Sequence, residues 1–171
     1  ADLVEGSLAD VLPAAPDVIA LVDAAPGAQA EALGQWVAEG GTLIRFAGPR
    51  LAARGDDLLP IPLREGGRMF GGALAWDEPQ QMAPFTPTSP FAGLETDPEA
   101  VIRSQVLAEP GTATDDRVWA RLEDGTPLVT AARRERGRAA VIDALEEAEG
   151  LRGAEFNPIS HRPLQHLRMN T

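Results

Sequence analysis

Residues 17–48 read DVIALVDAAPGAQAEALGQWVAEGGTLIRFAG, and this stretch decides the fold. Apolar residues run almost without interruption through residues 17–23 and again through residues 42–46, which is typical of strands buried on both faces of a parallel sheet. Between them, apolar residues recur at helical spacing over residues 28–39, and two adjacent glycines then end the helix. The pattern predicts a parallel βαβ unit, and therefore an α/β protein.

The chain beyond this unit has a different pattern. Pro and Gly interrupt short apolar segments over residues 64–122, which indicates a β-rich insertion of antiparallel strands. Residues 117–122 and 127–132 flank an Asp-Gly pair, so they are predicted to form a hairpin. A final apolar segment, residues 138–143, is predicted to return to the main sheet.

The sequence therefore predicts one α/β domain over residues 1–145, followed by a tail over residues 146–171. The tail has no sustained apolar period, so we expect it to be irregular and to add little to the core. The two histidines, His161 and His166, lie in this tail at a spacing that does not suit a metal pair on one helix face. We expect no bound metal and no cofactor.

Composition excludes several kinds of chemistry. The 171 residues carry a formal net charge of −11, which disfavours binding to nucleic-acid phosphates. Every cationic residue is Arg or His, so lysine Schiff-base and Walker-type chemistry are excluded. The chain has no Cys, which excludes thiolate catalysis and disulfides. No apolar run approaches the length of a membrane span, so we expect no direct insertion of this segment into a membrane.

The strand, helix, W-V-x-x-G-G, strand arrangement of residues 17–52 resembles class I glutamine-amidotransferase-like domains, which have a flavodoxin-like fold. The chain is most similar to the non-catalytic type found in large bacterial BatA-like proteins with two transmembrane segments. The phrases SPFAGL at residues 89–94 and DGTPLVTAARRERGRAAVID at residues 124–143 fit that family. The resemblance implies a parallel flavodoxin-like core with a β-rich insertion.

The resemblance does not carry amidotransferase activity to this chain, because the turn after residues 42–46 reads Ala-Gly-Pro where the enzymes place a Cys. It implies a non-catalytic module that binds a ligand or a partner, the partners being other domains or subunits of a membrane-associated assembly. Two alternatives stay open: a hydrolase or transferase that uses carboxylates at the sheet edge, and a structural spacer domain.

Candidate ligand-binding residues lie where the predicted parallel strands end, the edge at which open α/β sheets bind ligands. Each has a structural alternative: a carboxylate at a strand end commonly serves a turn, and an arginine within an apolar strand is usually paired. Two carboxylates facing each other across this edge could bind a cation or exchange protons. The candidates are Asp23, Arg45, Gly48, Arg50 and Asp143.

Overall fold

The computed structural model describes residues 3–64, 73–109 and 111–143, and it has a mixed α/β architecture. The predicted tail, with His161 and His166, lies outside the described residues. In chain order the elements are α1 (Leu8–Val11), β1 (Val18–Val22), α2 (Ala30–Ala38), β2 (Thr42–Phe46), α3 (Pro49–Arg54), β3 (Ala73–Gln81), β4 (Val101–Val106), β5 (Val118–Arg121), β6 (Pro127–Arg134) and β7 (Gly137–Ile142). Short 3-10 turns at Leu12–Ala14 and Gly27–Gln29 precede β1 and α2.

The main sheet has five strands in the order β1-β2-β7-β6-β5. β1, β2 and β7 are parallel, and α2 connects β1 to β2 as the sequence predicts. β6 and β5 continue the sheet in antiparallel orientation, so the sheet is mixed. β3 and β4 form a separate antiparallel pair.

The predicted hairpin is present, with Asp124 and Gly125 in its turn and β5 paired to β6. The range predicted for the insertion reaches residue 122, yet β5 within it belongs to the main sheet through its pairing with β6. β7 then returns to the centre of the sheet beside β2, as predicted.

One face of the sheet carries the helices and most of the core. Leu33, Trp36 and Val37 of α2 pack on apolar residues of β1, β2 and β7 in one buried cluster. The Trp36 ring lies at the edge of this cluster, where its Nε1 donates a hydrogen bond of 2.9 Å to the carbonyl oxygen of Pro16. A second cluster joins α3 to the ends of β2 and β7. Burial of apolar surface in these clusters stabilises the fold.

α2 approaches the start of β7 so closely that only a glycine fits there. A Cβ placed on Gly137 would lie 1.9 Å from the carbonyl oxygen of Val37. Gly137 thus sets the distance between the helix and the central strand.

The prediction that the parallel strands are buried on both sides is wrong for the opposite face of β1, β2 and β7. The side chains of Val18 and Val22 on β1 are 52% and 59% exposed. Alternation along each strand and the pairing register place further apolar residues beside them. We call this surface the open face, and its apolar residues on these strands are Val18, Ala20, Val22, Ile44, Phe46, Ala140 and Ile142.

No helix among the described residues is both long and apolar enough to cross a membrane.

Candidate functional site

Asp23, the first candidate, caps α3 across the sheet edge. It follows β1 in a left-handed backbone conformation with φ of 43°, and its amide donates a hydrogen bond of 2.9 Å to the Phe46 carbonyl oxygen. Its Oδ1 accepts hydrogen bonds of 2.9 Å each from the backbone amides of Arg50 and Leu51. The carboxylate therefore satisfies two amides at the start of α3 that the helix itself leaves without acceptors.

Gly48 makes this cap possible. A Cβ placed on Gly48 would lie 2.3 Å from Cγ of Asp23, so any larger residue would displace the carboxylate. Gly48 is also the N-cap residue of α3, and Pro49 is the first residue of the helix. The positions of Asp23 and Gly48 are thus both set by the connection between β2 and α3.

Arg45 is buried inside the helix-covered face, with none of its side chain exposed. Its Nη1 donates to both carboxylate oxygens of Asp56, at 2.7 and 2.8 Å, and its Nη2 donates to the Ala24 carbonyl oxygen at 2.9 Å. A buried guanidinium needs a charged partner of this kind. Its Nε has no hydrogen-bond partner in the described part of the chain.

A groove lies outside this buried pair, at the carboxyl end of β1. It has a volume of about 570 Å³ and is broadly open to solvent. The side chains of Arg50 and Arg54 are exposed there, beside the Asp23 carboxylate that is already engaged with α3. The lining residues are Asp23, Ala24, Ala25, Pro49, Arg50, Ala53 and Arg54.

Asp143, directly after β7, is fully buried. Its backbone amide donates a hydrogen bond of 2.9 Å to the Leu128 carbonyl oxygen, which extends the pairing of β7 with β6. Neither carboxylate oxygen has a hydrogen-bond partner among the described residues. Desolvation by this burial raises the pKa of the Asp143 carboxyl well above its ordinary value.

The structure brings together three of the five candidates and leaves two apart. Asp23, Gly48 and Arg50 meet at the β2–α3 connection, whereas Arg45 is turned to Asp56 beneath them. Asp23 and Asp143 follow strands that are separated by β2, so their backbones lie about 10 Å apart at ordinary strand spacing. No cluster of three or more His, Asp or Glu residues that could hold a metal occurs in the described ranges.

Two features were not found from the sequence. Asp56 is the partner of Arg45. The only signal for this in the sequence is that Asp56 and Asp57 follow β2 closely enough to offset the positive charge of the nearby arginines. The open face was missed because a continuous apolar strand gives the same pattern whether one or both of its faces are covered.

No protein-family model matches the sequence, and no curated protein matches it significantly. Among solved structures, the chain is similar to cytoplasmic protein STM3548 from Salmonella typhimurium, with a TM-score of 0.60 and 17% identity over 83% of this chain. It is similar to cytoplasmic protein STM1381 from Salmonella typhimurium LT2, with a TM-score of 0.54 and 14% identity over 82% of this chain. It spans 65% and 64% of those two proteins.

A third similar structure is a β-galactosidase from Rahnella sp. R3, with a TM-score of 0.53 and 15% identity over 75% of this chain. This chain spans only 20% of that enzyme. At such low identity, the three structures show a shared α/β fold and nothing about activity.

Proposed function

We propose that this chain is a non-catalytic, amidotransferase-like domain of flavodoxin-like type that binds a protein partner within a larger membrane-associated assembly. The amidotransferase-like and membrane-associated parts of the proposal rest on the sequence resemblance of residues 17–52 and 124–143. Partner binding rests on the distribution of polar and apolar groups in the fold.

The observation that carries the proposal is the exposed apolar surface on the open face. Parallel strands are normally covered on both faces, yet Val18 and Val22 are more than half exposed. A contiguous apolar surface of this kind on a folded domain usually marks a binding site for another macromolecule.

The sheet edge supports the same proposal by elimination. Asp23 is engaged as a helix cap, and Arg45 is neutralised by Asp56. A carboxylate-based hydrolase or transferase has less support, because Asp23 and Asp143 are separated by an intervening strand.

Site-specific photocrosslinking tests partner binding. A photoreactive amino acid replaces the exposed Ala20 on the open face, and in the control it replaces Glu31, exposed on α2. We expect the Ala20 position to crosslink, in the cell of origin, to one defined segment of one partner, identified by peptide mass spectrometry. The crosslink should disappear when Val22→Asp is added.

Two results would contradict the proposal. Equal crosslinking from Ala20 and Glu31, or none from either, would favour the spacer alternative. Release of ammonia from glutamine by the purified protein, abolished by a single point mutation, would show that the domain is an enzyme.

A further inference from the structure

The open face has a cationic end that meets no counter-charge among the described residues. Arg133 of β6 and Arg138 of β7 are directly opposite each other in the sheet, on the same side as Ala140, and both are exposed. Like charges directly opposite each other destabilise a strand pair. Within residues 3–64, 73–109 and 111–143, neither guanidinium forms an ion pair with a carboxylate. A carboxylate brought by a partner would relieve this repulsion.

The dimensions of the open face match an α-helix. Three adjacent strands at about 4.8 Å spacing span about 10 Å, which is about the diameter of one helix. β1, β2 and β7 have five or six residues each, so the face is about 17–20 Å long. A helix of about 11–13 residues covers that length.

A second copy of the chain does not offer such a helix in its described residues. The longest one, α2, has nine residues, and its apolar side is already packed against the sheet. α1 and α3 have only four and six residues.

Within residues 144–171, the sequence disfavours a helix of this length, because Gly150, Gly153, Pro158 and Pro163 interrupt it. An anionic membrane surface is disfavoured by the net charge of −11.

We propose that the open face binds an amphipathic helix of another polypeptide, about three turns long, which packs its apolar side on Val18, Val22 and Ile44 and places an Asp or Glu beside Arg133 and Arg138. This inference rests on the proposed function and names the kind of partner it requires. Helix-in-groove recognition of this type is read through apolar residues at positions i, i+3, i+4 and i+7.

A pair of synthetic peptides tests the proposal. Both are helix-forming, about 14 residues long, with Leu at the positions that face the sheet. One carries two Glu residues in its terminal turn and the other carries Gln at those positions. Affinities are measured by fluorescence anisotropy with the full chain, and circular dichroism checks that every variant is folded.

We expect the Glu peptide to bind about three- to fivefold more tightly than the Gln peptide, as for an exposed ion pair. Arg138→Gln should reduce this difference and Arg133→Gln/Arg138→Gln should remove it, whereas the matched control Arg103→Gln, at an exposed position of β4, should leave it. Val22→Asp should abolish binding of both peptides, because it places a charge within the apolar contact.

The outcomes separate this inference from the proposed function. The Ala20 crosslink can be specific while the two peptides bind equally or neither binds. In that case the proposal of an amphipathic acidic helix is wrong, and the proposal of partner binding stands. Crosslinks from Ala20 to residues 144–171 or to a second copy of the chain would also contradict the proposal that the bound helix belongs to another polypeptide. The proposed helix would also be contradicted if the protein sedimented with vesicles of phosphatidylcholine and phosphatidylserine and if Val22→Asp abolished that sedimentation. If crosslinking and peptide binding both fail, both proposals are wrong.

Discussion

Replacing Asp56 with Ala tests whether Arg45 is a structural cation. The Arg45 side chain is completely buried, and two of its hydrogen bonds, at 2.7 and 2.8 Å, go to the Asp56 carboxylate. After the substitution, the guanidinium keeps one acceptor in the described structure, the Ala24 carbonyl oxygen at 2.9 Å. The amide of Leu58 also loses its hydrogen bond of 3.0 Å to Asp56 Oδ1.

The expected cost in free energy of unfolding is about 3 kcal/mol. Removing one partner of a buried ion pair costs about 3–5 kcal/mol, because the remaining charge is left without compensation. The Asp56 side chain is 15% exposed, so water can reach part of the vacated site, and the lower end of this range applies. The double variant Arg45→Met/Asp56→Ala removes both charges, and we expect it to be within about 1–2 kcal/mol of the parent protein.

Urea unfolding followed by circular dichroism measures all three proteins, with Asp57→Ala as the matched control. Asp57 is exposed, so its substitution should change stability by less than about 0.5 kcal/mol. A loss below about 1 kcal/mol for Asp56→Ala, or a double variant less stable than the single one, would refute the reasoning. Arg45 would then be hydrated, and a ligand role for it would return.

Three further predictions concern single residues. Trp36→Ala should cost about 3–5 kcal/mol in urea unfolding, because the ring is 9% exposed and holds α2 on the sheet; a loss below about 1 kcal/mol would contradict its place in the core. Gly48→Ala should lower the melting temperature because its Cβ would displace the Asp23 carboxylate, and Asp23→Ala should then add little further loss in the double variant. Asp143→Asn should raise the melting temperature at pH 7 and lose this advantage near pH 4. Because its pKa is raised, the Asp143 carboxyl keeps a proton in the native protein that the unfolded chain releases above about pH 4, so the stability of the parent protein falls as pH rises. An effect of Asp143→Asn that does not depend on pH would contradict this.

The βαβ unit could be predicted from the sequence because its signals are local. Helical spacing over one stretch, two glycines at its end and a continuous apolar run on either side give α2 between β1 and β2. The Asp124-Gly125 turn gives the β5–β6 hairpin in the same way. Each of these patterns lies within about a dozen neighbouring residues, where backbone preferences act directly.

The site could not be predicted to the same degree, because it depends on long-range pairing. Nothing local in the sequence selects Asp56 as the partner of Arg45, or tells which face of the sheet its guanidinium occupies. A one-residue change of register would turn that side chain to the other face. The sequence allows Asp23 to be either a ligand group or a carboxylate that serves a turn, and only its contacts with the Arg50 and Leu51 amides identify it as a helix cap.

The contrast between the two faces of the sheet links the fold to the proposed function. On the helix-covered face, the buried charge of Arg45 is paired with Asp56, and the apolar side chains are packed into two buried clusters. On the open face, Val18 and Val22 remain exposed and Arg133 stands against Arg138 without a carboxylate in the described residues. Exposed apolar surface and unrelieved repulsion both carry a cost in stability, and one amphipathic acidic helix would remove both at once. Binding at this face would therefore also stabilise the domain, by an amount that grows with partner concentration.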